Sequence, residues 1–185
     1  MESNKKTAIV PKETPHFFIW IPKDGKIQES EKVVPVPEVY IKMLCEEATK
    51  LQKTKTPCLL VYMSSMFPEA SRSEMKKLET EFRKNGFSNV HIVDYDTDMK
   101  NDVIKTQAGQ LHNKTLEDFK LIYKNSKNQN STDHNPAIEC IGGFVDFFRL
   151  LVLEYSDVML KNINNKSKDI LYRDFDMILK GDNMS

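Results

Sequence analysis

An α/β domain built on a parallel sheet with crossover helices is what this chain's sequence predicts, and three observations predict it. Short apolar runs the length of buried strands recur at 16–21, 58–63 and 89–95. Amphipathic helical patterns fill the intervals between them. Turn-forming residues separate each run from its neighbour, so the order is strand, helix, strand, helix, strand.

The first run, His16-Phe17-Phe18-Ile19-Trp20-Ile21, is closed by Pro22, with Lys23-Asp24-Gly25-Lys26 as a turn. Residues 38–53 place Val39, Leu44, Ala48 and Leu51 among charges, an amphipathic helix that Pro57 stops. The second run, 58–63, leads to the best-marked helix. Ser71 with Glu74 three residues later reads as a capping box, Met75, Leu78 and Phe82 line one face, and Gly86 stands at the C-terminal cap. A third strand covers 89–95. Residues 101–123 read as helical but irregular, and 124–134, rich in Asn, Ser and Lys, as an exposed loop. Asn135-Pro136 opens a further helix. From 138 to 160 the chain is apolar almost all round, which predicts a helix buried on most sides. A polar loop at 162–168 precedes a short strand at 170–172, which runs into Arg173-Asp174-Phe175-Asp176.

Composition sets limits on function. Lys plus Arg and Asp plus Glu each total 27, so there is no basic field to attract nucleic acid. No run reaches the roughly 18 apolar residues of a membrane span, and the leader 1–15 lacks the apolar core of a secretory signal. The expected location is cytoplasmic, with signal-peptide-independent export into a host cell left open. Cys45, Cys58 and Cys140 read as reduced thiols, and the scattered His16, His91, His112 and His134 suggest no zinc site.

Four patterns are candidates for chemistry. Asp174 and Asp176, alternate residues at a strand end, can both reach a hard divalent cation that bridges two phosphates. Asp-x-Asp occurs three times here, so a solvated turn competes with that reading. The preceding helix supplies Asp146 and Arg149 on one face, with Glu139, Gly142 and Gly143 near the same stripe. They form either an internal ion pair or a ligand-facing notch. Trp20, at a strand end, can stack on a flat base or serve the core. Asp94-Tyr95-Asp96-Thr97-Asp98 follows a strand as a phosphatase nucleophile motif does, but Asp98 stands where that motif has Thr. As an EF-hand it fails, with Met99 in place of Gly and Lys105 in place of the closing Glu.

In this order the motifs resemble the donor-binding half of a DXD-containing GT-A glycosyltransferase. The similar types are clostridial glucosylating toxins, related bacterial effectors and yeast-type mannosyltransferases. His16 to Ile21 resembles that family's first strand, Asp146-Phe147-Phe148-Arg149 its Ser-Asp-x-x-Arg helix, and Tyr172-Arg173-Asp174-Phe175-Asp176 its Tyr-x-Asp-x-Asp strand. The resemblance implies a Rossmann-like nucleotide-sugar-binding sheet. It implies that Trp20 stacks on the base, that Asp146 and Arg149 contact ribose and sugar, and that Tyr172 belongs to the donor site. It further implies that Asp174 and Asp176 are the catalytic metal ligands, with manganese or magnesium as cofactor. The chain departs from the pattern at Lys168-Asp169, where Gly-Gly is usual, and at Val145, where a small residue is usual.

The expected organisation is a leader at 1–14, the donor-binding domain at 15–180 and a tail at 181–185, truncated soon after the DXD strand. The function implied is transfer of a sugar from a nucleotide diphosphate to a protein or glycan hydroxyl. The alternatives are a catalytically inactive relative that binds a partner protein, and a small phosphatase centred on Asp94 and Asp96.

Overall fold

A computed structural model describes residues 14–22, 35–126 and 136–175. Four parallel strands, β1 (His16–Ile19), β2 (Cys58–Tyr62), β3 (Val90–Asp94) and β4 (Leu171–Tyr172), stand in the order β3-β2-β1-β4. The predicted α/β architecture with a parallel sheet is present. Strand β1 is shorter than its apolar run, although the Trp20 N–H still reaches the Val61 carbonyl at 3.0 Å.

Every residue of β2 is buried, because helices cover both faces of the sheet. One face carries Phe17, Ile19, Leu59, Val61 and Val93, packed on Phe144, Phe148 and Val152 of α5 (Pro136–Glu154) and on Leu116 and Tyr123 of α4 (Gln107–Ser126). The other carries Phe18, Trp20, Leu60 and Tyr62, packed on α1 (Glu38–Gln52) and α2 (Glu69–Lys84). Each large apolar side chain removed from water in these layers contributes about 2 kcal/mol.

Helix α1 buries Met43, Leu44, Glu47 and Ala48, one stripe of a 3.6-residue period. Helix α2 buries Ser71, Met75, Leu78 and Phe82 at successive turns. Its start differs from the capping-box expectation. The helix begins at Glu69 behind Pro68, and Ser71 lies inside it, buried. Pro68 has a fixed φ suited to a helix entrance, and Glu69 in the first turn complements the helix dipole. The C-terminus follows the sequence. Gly86 has φ +88°, its N–H bonds the Arg83 carbonyl, and the Phe87 N–H bonds the Phe82 carbonyl at 2.9 Å. This is a Schellman closure, and the Phe82 and Phe87 rings meet edge-on beside it.

The irregularity expected at 101–123 has a definite form. A wide π turn, Tyr95–Met99, buries Tyr95 and Met99, then α3 (Lys100–Val103) ends and α4 begins at Gln107. Helix α4 extends to Ser126, so the start of the loop expected at 124–134 is helical, and 127–135 lies outside the described residues. The apolar segment expected as one helix is two, α5 and α6 (Ser156–Asn162), broken at Tyr155. Helix α5 is not covered on most sides. Gly142, Gly143, Asp146 and Leu150 form an exposed stripe, because α4 and the sheet occupy only the opposite faces. Among the described residues no helix is long and apolar enough to cross a membrane.

Candidate functional site

The strand order reverses at one place. From β1 the chain steps outward to β2 and β3, then returns to the other side of β1 to add β4. In open α/β sheets the crevice at such a switch point, beyond the C-terminal strand ends, is the natural ligand seat. Here it lies where Trp20 follows β1 and where Arg173 and Asp174 follow β4. Residues 16 and 17 pair with 171 and 172, and the Arg173 N–H bonds the Phe17 carbonyl at 2.9 Å, which fixes the height of Asp174.

Beside β4, Arg149 of α5 holds Asp146 one turn back at 3.0 Å. Its guanidinium carbon stands 5.2 Å from the centre of the Tyr172 ring. A guanidinium lying over an aromatic ring keeps N–H groups free for carboxylate or phosphate oxygens. Burial pushes the Tyr172 phenol up to about 12, and Asp174 and Asp146 act in the same direction against Arg149. Asp146, Arg149, Tyr172 and Asp174 therefore share one electrostatic neighbourhood at the β4 end, half-exposed to solvent.

Comparison with protein-family models, curated proteins and solved structures finds no match.

Trp20 is not part of the Arg149 cluster. Side chains alternate across β1, so Trp20 lies on the opposite face, among the residues packed on α1 and α2. It is 9% exposed, packs on Tyr40 at 4.9 Å between ring centres, and donates its indole N–H to the Pro35 carbonyl at 2.9 Å. In this arrangement it is a core residue rather than an open platform for a base. Phe175 turns to the same side and stacks on Phe18. Asp176 lies outside the described residues, as does the side chain of Glu139.

Among the described residues no three His, Cys, Asp or Glu side chains converge to hold a metal ion. Asp146 and Asp174 are the two carboxylates nearest Tyr172 in influence. Asp146 is already held by Arg149 at 3.0 Å.

The other acidic run is accounted for by local structure. One Asp94 carboxylate oxygen accepts the N–H groups of Ser64 (3.0 Å) and Asp96 (3.1 Å), and the other accepts the Thr97 hydroxyl. These bonds fix the Asp94 carboxylate as the anchor of the turn that follows β3. Asp96 accepts the Ser65 N–H at 2.8 Å and faces Lys120 at 3.5 Å. Burial alone would raise the Asp96 pKa, but the Ser65 N–H and Lys120 outweigh it and hold it below its ordinary value. Lys120 is itself buried, and its three donors reach Ser65 Oγ at 2.8 Å, Glu117 at 2.9 Å and Asp96. That buried ammonium ties α4 to the turn after β2. No sequence pattern announces it, because Lys120 looks like any other charge on a polar helix. Cys45 and Cys58 are free thiols, and burial raises both above their ordinary pKa.

Proposed function

We propose that this chain binds a nucleotide-diphosphate sugar at the β1/β4 switch point and transfers the sugar to a protein or glycan hydroxyl. The observation that carries the reading is the clustering of Arg149, Asp146, Tyr172 and Asp174 at the C-terminal end of β4, where the strand order reverses. In this reading Arg149, stacked over Tyr172, offers N–H groups to a phosphate or sugar oxygen. Asp146 orients Arg149 and accepts from ribose hydroxyls. Asp174, followed two residues later by Asp176, holds a manganese or magnesium ion shared with the diphosphate. When bound, that ion neutralises charge on the departing diphosphate. Base stacking by Trp20 does not belong to this version, since its indole is packed and its N–H is bonded.

Calorimetry tests the proposal. UDP- and GDP-sugars are titrated with and without manganese into the wild-type chain and into Asp174→Ala. Tighter binding with metal, lost in the variant, is the expected result. Failure of every nucleotide sugar to bind better with metal would sink the proposal.

A second reading, a protein-interaction module without turnover, draws on the exposure of Leu111, Leu121 and Ile122 on α4 and Leu150 on α5, each more than half exposed. Replacing Asp174 and Asp176 together by Ala separates the two. Biological activity survives if the chain acts by docking and collapses if it acts by transfer.

A further inference from the structure

Among the described residues strand β3 is an outer strand of the sheet, and its outward edge is closed by the chain itself. The register with β2 decides which backbone groups face outward. The Cys58 N–H donates to the Asn89 carbonyl, and Cys58 is level with Val90. In a parallel pair the N–H groups of alternate residues then face the neighbour, so those of His91 and Val93 point to β2. Those of Val90, Ile92 and Asp94 point away from it.

All three outward donors have acceptors within the chain. The Val90 N–H reaches the Phe87 carbonyl at 3.3 Å. The Ile92 N–H is taken by Glu79 Oε2 of α2 at 3.0 Å. The Asp94 N–H is taken by Asp98 Oδ2 of the π turn at 2.8 Å. Glu79 is held in place through its other oxygen by Arg83 at 2.6 Å. The other Asp98 oxygen lies 3.1 Å from the Thr97 hydroxyl, whose single proton it shares with Asp94 Oδ2.

The edge is also accessible. Two clefts of about 430 Å³ each run beside it and share Glu79, Arg83, Ile92 and Asp98. One lies towards Lys76 and Thr80 of α2, the other towards Asn162 and Asn164 at the end of α6. A groove along an outer strand whose donors are free is a template for another strand. Here the groove is present and the donors are withheld.

We infer that Glu79 and Asp98 are paired edge caps that keep β3 from adding a strand of a second copy of this chain. The second copy is the occupant that fits. Two β3 edges approaching about a two-fold axis present identical outward Val90, Ile92 and Asp94 groups, and such a contact is self-complementary. With the caps in place a carbonyl approaching Ile92 or Asp94 meets a carboxylate instead of an N–H. The paired strand then gains no hydrogen bonds and faces like charge. Removing both carboxylates exposes two N–H groups on the edge of each copy.

The test uses backbone amide exchange by NMR and sedimentation velocity on the full chain. In Glu79→Ala at low concentration, the Ile92 amide exchanges at least tenfold faster while His91 and Val93 keep their wild-type rates. Glu79→Gln, which retains an acceptor oxygen, keeps the Ile92 amide slow. The double variant Glu79→Ala/Asp98→Ala forms dimers and larger species as concentration rises, and its Ile92 amide becomes slow again in the associated state. Glu74→Ala, removing an exposed acid elsewhere on α2, leaves the chain as wild type. The inference is overturned by an unchanged Ile92 rate in Glu79→Ala. It is equally overturned by a folded double variant that stays monomeric across the series, or by one whose association leaves Ile92 unprotected.

Discussion

Gly109 lies directly against the Val103 carbonyl: a β-carbon on Gly109 would stand 1.7 Å from that oxygen. The contact joins the first turn of α4 to the last residue of α3, and the Gly109 N–H bonds Thr106 Oγ1 at 3.0 Å. Because the obstacle is backbone, no rotamer change relieves it. Gly109→Ala should therefore destabilise the fold by at least about 2 kcal/mol, despite the better helix propensity of alanine. Urea unfolding should show a lower midpoint with an unchanged slope.

Gly86 predicts a different cost for the same substitution. Nothing lies within 4 Å of its added β-carbon, so Gly86→Ala meets only the backbone penalty of φ +88°. That penalty is about 1 kcal/mol. Measured by the same unfolding experiment, Gly86→Ala should cost clearly less than Gly109→Ala.

Lys120 is buried with Asp96, Glu117 and Ser65 around its ammonium. Lys120→Met removes the cation and leaves Asp96 short of its counter-charge, a loss of about 3 kcal/mol. Adding Asp96→Asn should recover part of that loss. A double-mutant cycle with a coupling near zero would refute the pairing.

Glu47 is buried in α1 and takes a hydrogen bond from His16 Nδ1 at 2.8 Å, with Arg173 Nε 3.6 Å away. The His16 bond, against burial and with help from Arg173, lowers its pKa from the ordinary 4.5. A carboxyl depressed on folding contributes stability above its unfolded pKa, and that contribution is lost as pH falls through the folded value. Stability should therefore decline below about pH 4.5, and Glu47→Gln should flatten that acid limb. Thermal midpoints recorded from pH 7 to pH 3 check the prediction.

Arg149 is part-exposed and makes its contacts on the surface, so its replacement should spare the fold. Arg149→Lys keeps the charge and loses the planar fork. It should weaken nucleotide-sugar binding about tenfold, roughly one bidentate contact, while the thermal midpoint stays within about a degree. Calorimetry paired with a thermal melt separates the two effects.

Much of the fold was legible because local rules agree with it. The apolar runs are strands since helices bury both sheet faces, and Gly86 ends α2 since the turn demands positive φ. Ser71 misled because a capping pair is a local signal, while the helix entrance was settled by Pro68 one turn earlier. The segment at 138–160 misled for another reason. Apolar residues such as Leu150 can remain in water, so composition alone does not report coverage. At the candidate site, the Asp146 and Arg149 pairing follows from helical spacing. The side of the sheet taken by Trp20 depends on strand register, and the Lys120 and Glu79 contacts depend on tertiary approach. Spacing along a chain encodes neither.

The placement of β1 bears on how the chain reaches this state. It is the first of the described strands, and its two partners are the next strand along the chain and the last one, more than 150 residues away. Phe17 and Phe18 thus acquire their full surroundings only after β4 has been added. Closing so distant a pairing late gives a folding reaction governed by chain entropy rather than by helix formation. Until β4 arrives, β1 has one flank without its strand partner, which leaves apolar surface exposed during folding.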